Sequence, residues 1–407
     1  MKNLNKVVLA SAIASAMICG SAFSEEQTSI IEAFKDSKAS LSFRLRVEDV
    51  TQDGVEDSLA TTLRTRLNFT TGIYNGLSGF VEFDQVSELI EVDYNTGAGD
   101  AAFPNTATIA DPEGTDLNQA FIQYKTDGTT VKYGRQRILL DNQRFVGGVG
   151  WRQNEQTYDA FSVSNTSVDN LKLFGAYVFN VNRIFGDDRT PAGDNTSSTF
   201  LLNANYTIAD IGSVTGYGYL IDNQDITKYS SDTFGVRFAG KSNALAYSAE
   251  YATQSSAYDN PADYTASYTD LEGSYSFKPA KVTLGYQVLG ADGANGQFST
   301  PLATLHKFQG WDDKFLGGGQ GNIVGGIQDL HASVGGKFGK VNAAVVYHTF
   351  SSDDSAVSGM DTLGSELGLV VKGKVGPLGL LFKVSDYSAD DFGTDTTKVW
   401  LMASTNI

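Results

Sequence analysis

From Ser40 onward the chain alternates apolar and polar residues with a period of two, and this restricts its fold more than any other feature. Leu41, Phe43, Leu45 and Val47 alternate with Ser42, Arg44, Arg46 and Glu48; Leu63, Leu67 and Phe69 alternate with Arg64, Arg66 and Asn68. Successive side chains of a strand point to opposite faces, so each such segment has one apolar and one polar face. The pattern returns at 171–181, 200–208, 234–238, 282–288, 330–338, 341–347, 367–371 and 378–384.

The connections alternate too, in length. Short ones are Tyr74-Asn75-Gly76, Thr126-Asp127-Gly128, Asn165–Asn170, Asp210–Ser213, Gly240–Asn243, Lys278–Ala280, Gly339-Lys340 and Val375–Pro377. Long ones fall between them, near 49–58, 88–116, 139–154, 183–198, 222–232, 254–264, 290–328, 351–362 and 386–396. Counting through gives about 18 strands, with 16 as the other count because single strand signals are weak. A soluble β-sandwich or β-helix would not need a polar second face on every strand, nor this short–long rhythm. A transmembrane antiparallel β-barrel needs both, since lipid covers one face and water the other. The expected architecture is all-β, with short periplasmic turns and long extracellular loops, over a single domain at 40–407.

The N-terminus sets the compartment. Lys2 and Lys6 precede an apolar run from Val7 to Ile18, and Ala22-Phe23-Ser24 forms a small-x-small site, the layout of a cleaved signal peptide over 1–24. The run is too short to span a bilayer, and no other stretch reaches the roughly 18 apolar residues of a membrane helix. Cys19, the one cysteine of the chain, follows the bulky Ile18, which disfavours a lipoprotein site. The processed chain then carries no cysteine, as suits an exported protein built without disulfides. Between signal and barrel, 25–39 is a periplasmic segment in which Ser29 to Lys35 has helical spacing.

The formal charge of −17 over 407 residues is unevenly placed. Acidic residues gather in the long segments, among them Asp49, Asp53, Glu56, Asp111, Asp187, Asp353 and Asp390. By strand parity the inner face holds Arg44, Arg46, Arg64, Arg66, Lys125, Lys132, Lys172, Arg237, Lys337, Lys372, Lys374 and Lys383. Facing them are Glu48, Glu82, Asp84, Glu250, Asp270, Glu272 and Glu366. A net-basic bore concentrates anions; these charges also pair across strands. A three-residue hairpin ending at Gly76 would set Arg66 opposite Asp84 and Asn68 opposite Glu82. That leaves Arg44, Arg46, Arg64 and Arg237 as the expected free cations.

Two regions break the alternation. Simple parity puts Arg135 and Arg137 on the lipid side. A bulge at Gly134 would turn both inward, and a place at the rim is the alternative. Segment 290–328 carries Pro301, Leu302, Leu305, His306, Phe308, Trp311 and Phe315, too apolar to be left in water. It is expected to fold into or over the barrel mouth, with Lys307 and Lys314 near the path; packing on neighbouring loops is the alternative.

The histidines are 306, 331 and 348. With Gly339-Lys340 as a two-residue turn, His331 and His348 lie opposite each other in the lumen. They read as polar lumen residues, since no third ligand of fixed spacing accompanies them; a pair that titrates near neutral pH or binds a metal weakly is the alternative. No nucleophilic triad emerges from the spacing, so no enzyme and no cofactor are expected. A barrel hydrolase or adhesin stands as the reading from another class.

Several stretches resemble the alginate export family of bacterial outer-membrane porins: Leu41–Val50, Thr61–Gly76, Asp111–Tyr124, Gly134–Val163 and Pro301–Phe315. The resemblance implies a monomeric barrel of about 18 strands in a Gram-negative outer membrane. It also implies a basic pore suited to a polyuronate or another anionic oligo- or polysaccharide, by passive diffusion or as the secretion pore of a synthesis and export machine. Arg135, Arg144, Arg152, Asn154, Glu155, Gln156 and Asp159 are the polar positions it brings to the pore. Expected partners are outer-membrane lipid, lipopolysaccharide and the barrel assembly machinery, with no nucleic acid. One departure is the terminal Ile407, where such barrels often end in an aromatic residue.

Overall fold

The computed structural model describes residues 29–90, 94–97, 103–187 and 189–407. The expected signal peptide and the reading of Cys19 lie outside these residues. Among them the chain forms one sheet of 18 antiparallel strands. In chain order these are β1 Lys38–Gln52, β2 Ser58–Thr70, β3 Leu77–Ile90, β4 Gly114–Thr126, β5 Thr129–Gln136 and β6 Thr157–Asn165. They continue as β7 Leu171–Asn182, β8 Asp194–Ile208, β9 Gly212–Ile221, β10 Ser231–Ser242, β11 Leu245–Ser256 and β12 Thr265–Phe277. The last are β13 Ala280–Leu289, β14 Ile327–Phe338, β15 Val341–Ser352, β16 Thr362–Val375, β17 Leu378–Ala389 and β18 Thr396–Asn406.

Each strand pairs with its chain neighbours, and β1 also pairs with β18, so that Val47 faces Thr61 on one side and Leu401 on the other. Closure leaves the sheet no unpaired edge, the condition for strands to cross lipid. The alternation does what the sequence reading required of it. Leu45, Leu67, Phe83, Tyr133, Val236, Leu271, Leu284, Leu330, Tyr347 and Leu401 are exposed on the outer face, while Arg46, Arg66, Asp84 and Glu250 are buried inside.

The turns fix the register. At the β14–β15 hairpin only Gly339 has a positive φ, +64°, and Phe338 pairs with Val341 across the two-residue turn. His331 therefore faces His348. At the β2–β3 hairpin the expected three-residue loop is instead a two-residue Asn75-Gly76 turn. Both φ values are positive, +47° and +81°, and Tyr74 and Leu77 exchange backbone hydrogen bonds. The Thr71–Ile73 segment absorbs the offset, and Arg66 still faces Asp84 as Asn68 faces Glu82. Helix α1, Ile30–Lys35, opens with a reciprocal cap between Ser29 and Glu32. It docks beside this hairpin, where Gly72 N donates to Ala33 O at 2.9 Å.

A second core lies within the barrel. Phe145 and Val146 from segment 137–156, with Phe298, Leu302, Phe315 and Ile323 from segment 290–326, are buried against Tyr217, Tyr219, Tyr268, Phe350 and Tyr387 of the wall. The Phe145 ring centroid lies 5.2 Å from both Tyr217 and Tyr268. Burying these rings on one another removes apolar surface from water inside what the strands alone would leave as an aqueous bore.

Candidate channel constriction

Register places Arg44 of β1 directly opposite Arg64 of β2, with Arg46 and Arg66 nearby on the same inner face. Four guanidinium groups this close repel one another unless acceptors intervene. The stretch Gly150–Gln156 supplies them. Arg44 donates to Gln153 Oε1 at 2.9 Å, to Gly150 O at 3.0 Å and to Arg152 O. Arg46 pairs with Asp111 at 2.6 Å, donates to Trp151 O and lies 4.6 Å over the Trp151 ring. Arg64 donates to Gln153 O at 3.3 Å, with Glu155 at 3.7 Å. Arg66 holds Asp84 through two hydrogen bonds of 2.6 Å and Glu155 at 2.9 Å.

Thus none of the four arginines expected to be free is free. Arg44 is taken by neutral acceptors, Arg46 and Arg64 by acceptors of segments 111 and 151–155, and Arg237 by Glu250 at 3.2 Å. The physical reason is burial: a charge out of water demands partners, and the inserted loop, Asp111 and the wall residue Glu250 provide them.

The ion network extends through both inserted segments. Arg152 binds Glu48 at 3.0 Å and Asp313 at 3.0 Å. Asp313 also accepts from Lys398 at 3.5 Å and meets His306 Nδ1 at 2.9 Å. The other ring nitrogen of His306 lies 2.7 Å from Lys383 Nζ, which sits over the rings of Trp151, Trp311 and Trp400 at 4.2, 3.9 and 4.8 Å. Trp151 stacks on His306 at 4.7 Å with 12° between planes. One cage therefore ties 137–156 and 290–326 to β17 and β18.

Local fields in the inserted segments follow from this pairing. Burial alone would raise the Glu155 carboxyl, but Arg66, Arg137 and Arg64 outweigh it and hold it at about 2. Burial would likewise raise Asp111, and Arg46 and Arg152 bring it below its ordinary value. His306 is pushed down to about 3 by burial and by Lys383 and Arg152, against the pull of Asp313, so it is a neutral acceptor for Lys383 near neutral pH. Burial also lowers Arg144.

The other expected residues lie apart from this cluster or at its edge. The β5 ladders run through Gly134 without a register shift, and Gly134 takes a φ of +123° in place of the expected bulge. Arg135 meets Asp159 at 2.9 Å and Asp187 at 3.0 Å, a partly exposed position between wall and loop. Arg137, beyond the strand end, does turn inward, to Glu82 at 2.7 Å and Glu155. Glu82 also accepts from Asn118 at 2.6 Å, the residue left over where the β3–β4 register shifts. Lys132 lies 4.6 Å over Phe121. Lys307 donates to Asn142 O at 2.7 Å, and Lys314 to Thr396 Oγ1. Arg144 is wholly buried, 4.8 Å over Phe308. His331 and His348 sit with Asp329 on the wall.

Gln153, Asp313, Trp151 and Trp400 were not singled out by the sequence pattern, and Asp111 was counted among the outward acidic loops. The signal available was the run Gly150-Trp151-Arg152-Gln153-Asn154-Glu155-Gln156, which has neither strand alternation nor turn composition.

The family model described as alginate export matches residues 80–308, more than half of the chain. The chain belongs to the alginate export family. Solved barrels agree in fold at low identity. Pseudomonas aeruginosa OpdK, determined with vanillate, is 12% identical, with a TM-score of 0.69 over 92% of this chain and 99% of its own. OccK5 (OpdH) of the same organism is 13% identical, with a TM-score of 0.69 and the same coverage. Acinetobacter baumannii OccAB4 is 13% identical, with a TM-score of 0.67 over 94% of this chain and 99% of its own. No curated protein matches the chain in sequence. This family member is an outer-membrane β-barrel channel.

Proposed function

We propose that the channel passes anionic, carboxylate-bearing solutes, with uronate saccharides as the class, through a passage narrowed by segments 137–156 and 290–326. The observation that carries this reading is Arg144. Its side chain is fully buried, and none of its three guanidinium nitrogens has a hydrogen-bond partner. A buried guanidinium with no carboxylate in contact is costly, Asp270 and Asp329 acting on it only at a distance, and a carboxylate arriving beside it supplies two charge-assisted hydrogen bonds at once. The neighbouring Phe308 and Tyr268 rings, 4.8 and 5.9 Å from the guanidinium carbon, offer the flat apolar faces on which a sugar or aryl ring lies. Arg44, held only by neutral acceptors, and Lys307 and Lys314 on the inserted segment add positive potential along the same mouth. The OpdK structure with vanillate, itself a carboxylate, is in keeping with this class.

The test is planar-bilayer recording with the purified protein. Under a KCl gradient the reversal potential should report chloride preference, and oligouronates should block the current. Arg144→Gln should weaken that block about tenfold, equivalent to about 1.4 kcal/mol, with open conductance retained. Cation preference, or equal block by neutral oligosaccharides of the same length, would overturn the proposal.

A further inference from the structure

We infer that Asp329, His331 and His348 form a binding site for a divalent transition-metal ion, of the zinc, nickel or cobalt class, on the inner wall of the barrel. The Gly339-Lys340 turn sets His331 of β14 opposite His348 of β15, and Asp329 lies two residues earlier on the same face. Leu330 and Tyr347 point outward between them, exposed on the lipid side. Three strand positions of one face thus converge on the lumen.

The distances are close to those a coordinated ion imposes. Asp329 Oδ2 is 3.1 Å from His348 Nδ1 and 3.7 Å from His331 Nδ1, and one ligand atom from each residue lies within 4.8 Å of the others. Ligands bound to zinc at about 2.0–2.1 Å in tetrahedral array stand roughly 3.3 Å apart. Two edges of the triangle already bracket that value, and small ring rotations close the third.

An ordinary histidine–aspartate hydrogen bond accounts for His348 but not for His331, whose Nδ1 is buried without a hydrogen-bond partner. The place of that ring is also specifically kept. Gly285 of β13 faces His331, and a Cβ there would stand 2.1 Å from His331 Nε2. The ring fills space that only glycine leaves. On the other side Phe350 stacks on His348 at 5.5 Å with 13° between planes, holding the second ring. Two strands away, Glu272 pairs with Gly285 and Asp270 with Gln287, adding negative charge beside the site. Two imidazoles and one carboxylate favour borderline metals over Ca²⁺ or Mg²⁺, which prefer oxygen cages. Three protein ligands leave further coordination positions open to the lumen.

The site is tested on untagged, detergent-purified barrel by calorimetry with Zn²⁺ and by visible absorption with Co²⁺. One ion per chain should bind, and affinity should fall at least about tenfold in His331→Gln and in Asp329→Asn. Heat-modifiable gel mobility checks that each variant is folded. Gly285→Ala keeps all three donors but displaces the His331 ring, so it should weaken binding as well. Absence of saturable binding up to millimolar Zn²⁺, or unchanged affinity in folded His331→Gln or folded Gly285→Ala, would overturn the inference. Because the readout is binding, it is independent of what the channel transports.

Discussion

Glu155→Gln tests whether the inserted segment 137–156 is held by charge. Glu155 is the acidic hub of the constriction: it meets Arg66 at 2.9 Å, Arg64 at 3.7 Å and Arg137 through a hydrogen bond. Its carboxyl is held at about 2 against an ordinary 4.5, which corresponds to at most about 3 kcal/mol of favourable interaction at neutral pH. Glutamine keeps the shape but removes the charge, and leaves the buried Arg64 and Arg66 and the half-buried Arg137 with less compensation. If that energy anchors the segment, the population in which it leaves the bore should rise on the order of a hundredfold. Two assays read this out: the frequency of open-state transitions in single-channel records, and trypsin cleavage at Arg144 and Arg152 in intact proteoliposomes. The sign with pH follows from the lowered value. The stabilisation is present above about 4.5 and is lost as pH falls through about 2. Wild-type gating should therefore increase over that acid window, and the variant should lack the share of this dependence that Glu155 contributes, Asp111 and Asp313 keeping theirs. Equal gating and equal protease protection in variant and wild type would refute the electrostatic anchor.

Two further outcomes follow from the packing. Trp151→Ala removes the stack on His306 and the faces over which Arg46 and Lys383 lie. A fully buried Trp→Ala change costs about 3–5 kcal/mol, and the half-buried Trp151 should fall below that range; because the loss falls on the inserted cage, conductance noise should rise while the barrel still migrates as a folded species before heating. Leu330→Arg places a charge on the lipid face, where the cost is about 2–4 kcal/mol near the bilayer centre. Its urea midpoint in lipid vesicles should fall, and an unchanged midpoint would contradict the assignment of that face.

How much was legible in the sequence depends on how far apart the cooperating residues lie. A strand's two faces are encoded at separation two, and a hairpin's register by the residues of its turn. That is why the His331–His348 and Arg66–Asp84 pairings could be read from the chain, even though the turn before β3 took a different form. Arg46 finds Asp111 across 65 positions, Arg44 finds Gln153 across 109, and Arg152 finds Asp313 across 161. No periodicity links such residues. Gly134 shows the same limit at short range: a bulge and a positive φ are both open to glycine, and the unbroken ladder with β6 selects the second.

By itself, then, the sequence determined that the chain closes into a lipid-facing barrel, because alternation and turn rhythm are local and lipid admits no sheet with open edges. It also showed that 290–328 is too apolar to stay in water. Only the tertiary structure decided where that surface goes and which charges survive unpaired. Two segments distant in sequence fold into the bore together. Their backbone carbonyls and carboxylates occupy most of the arginines that parity had marked as free, and Arg144, a residue no strand pattern distinguishes, is left buried without a hydrogen-bond partner for its guanidinium.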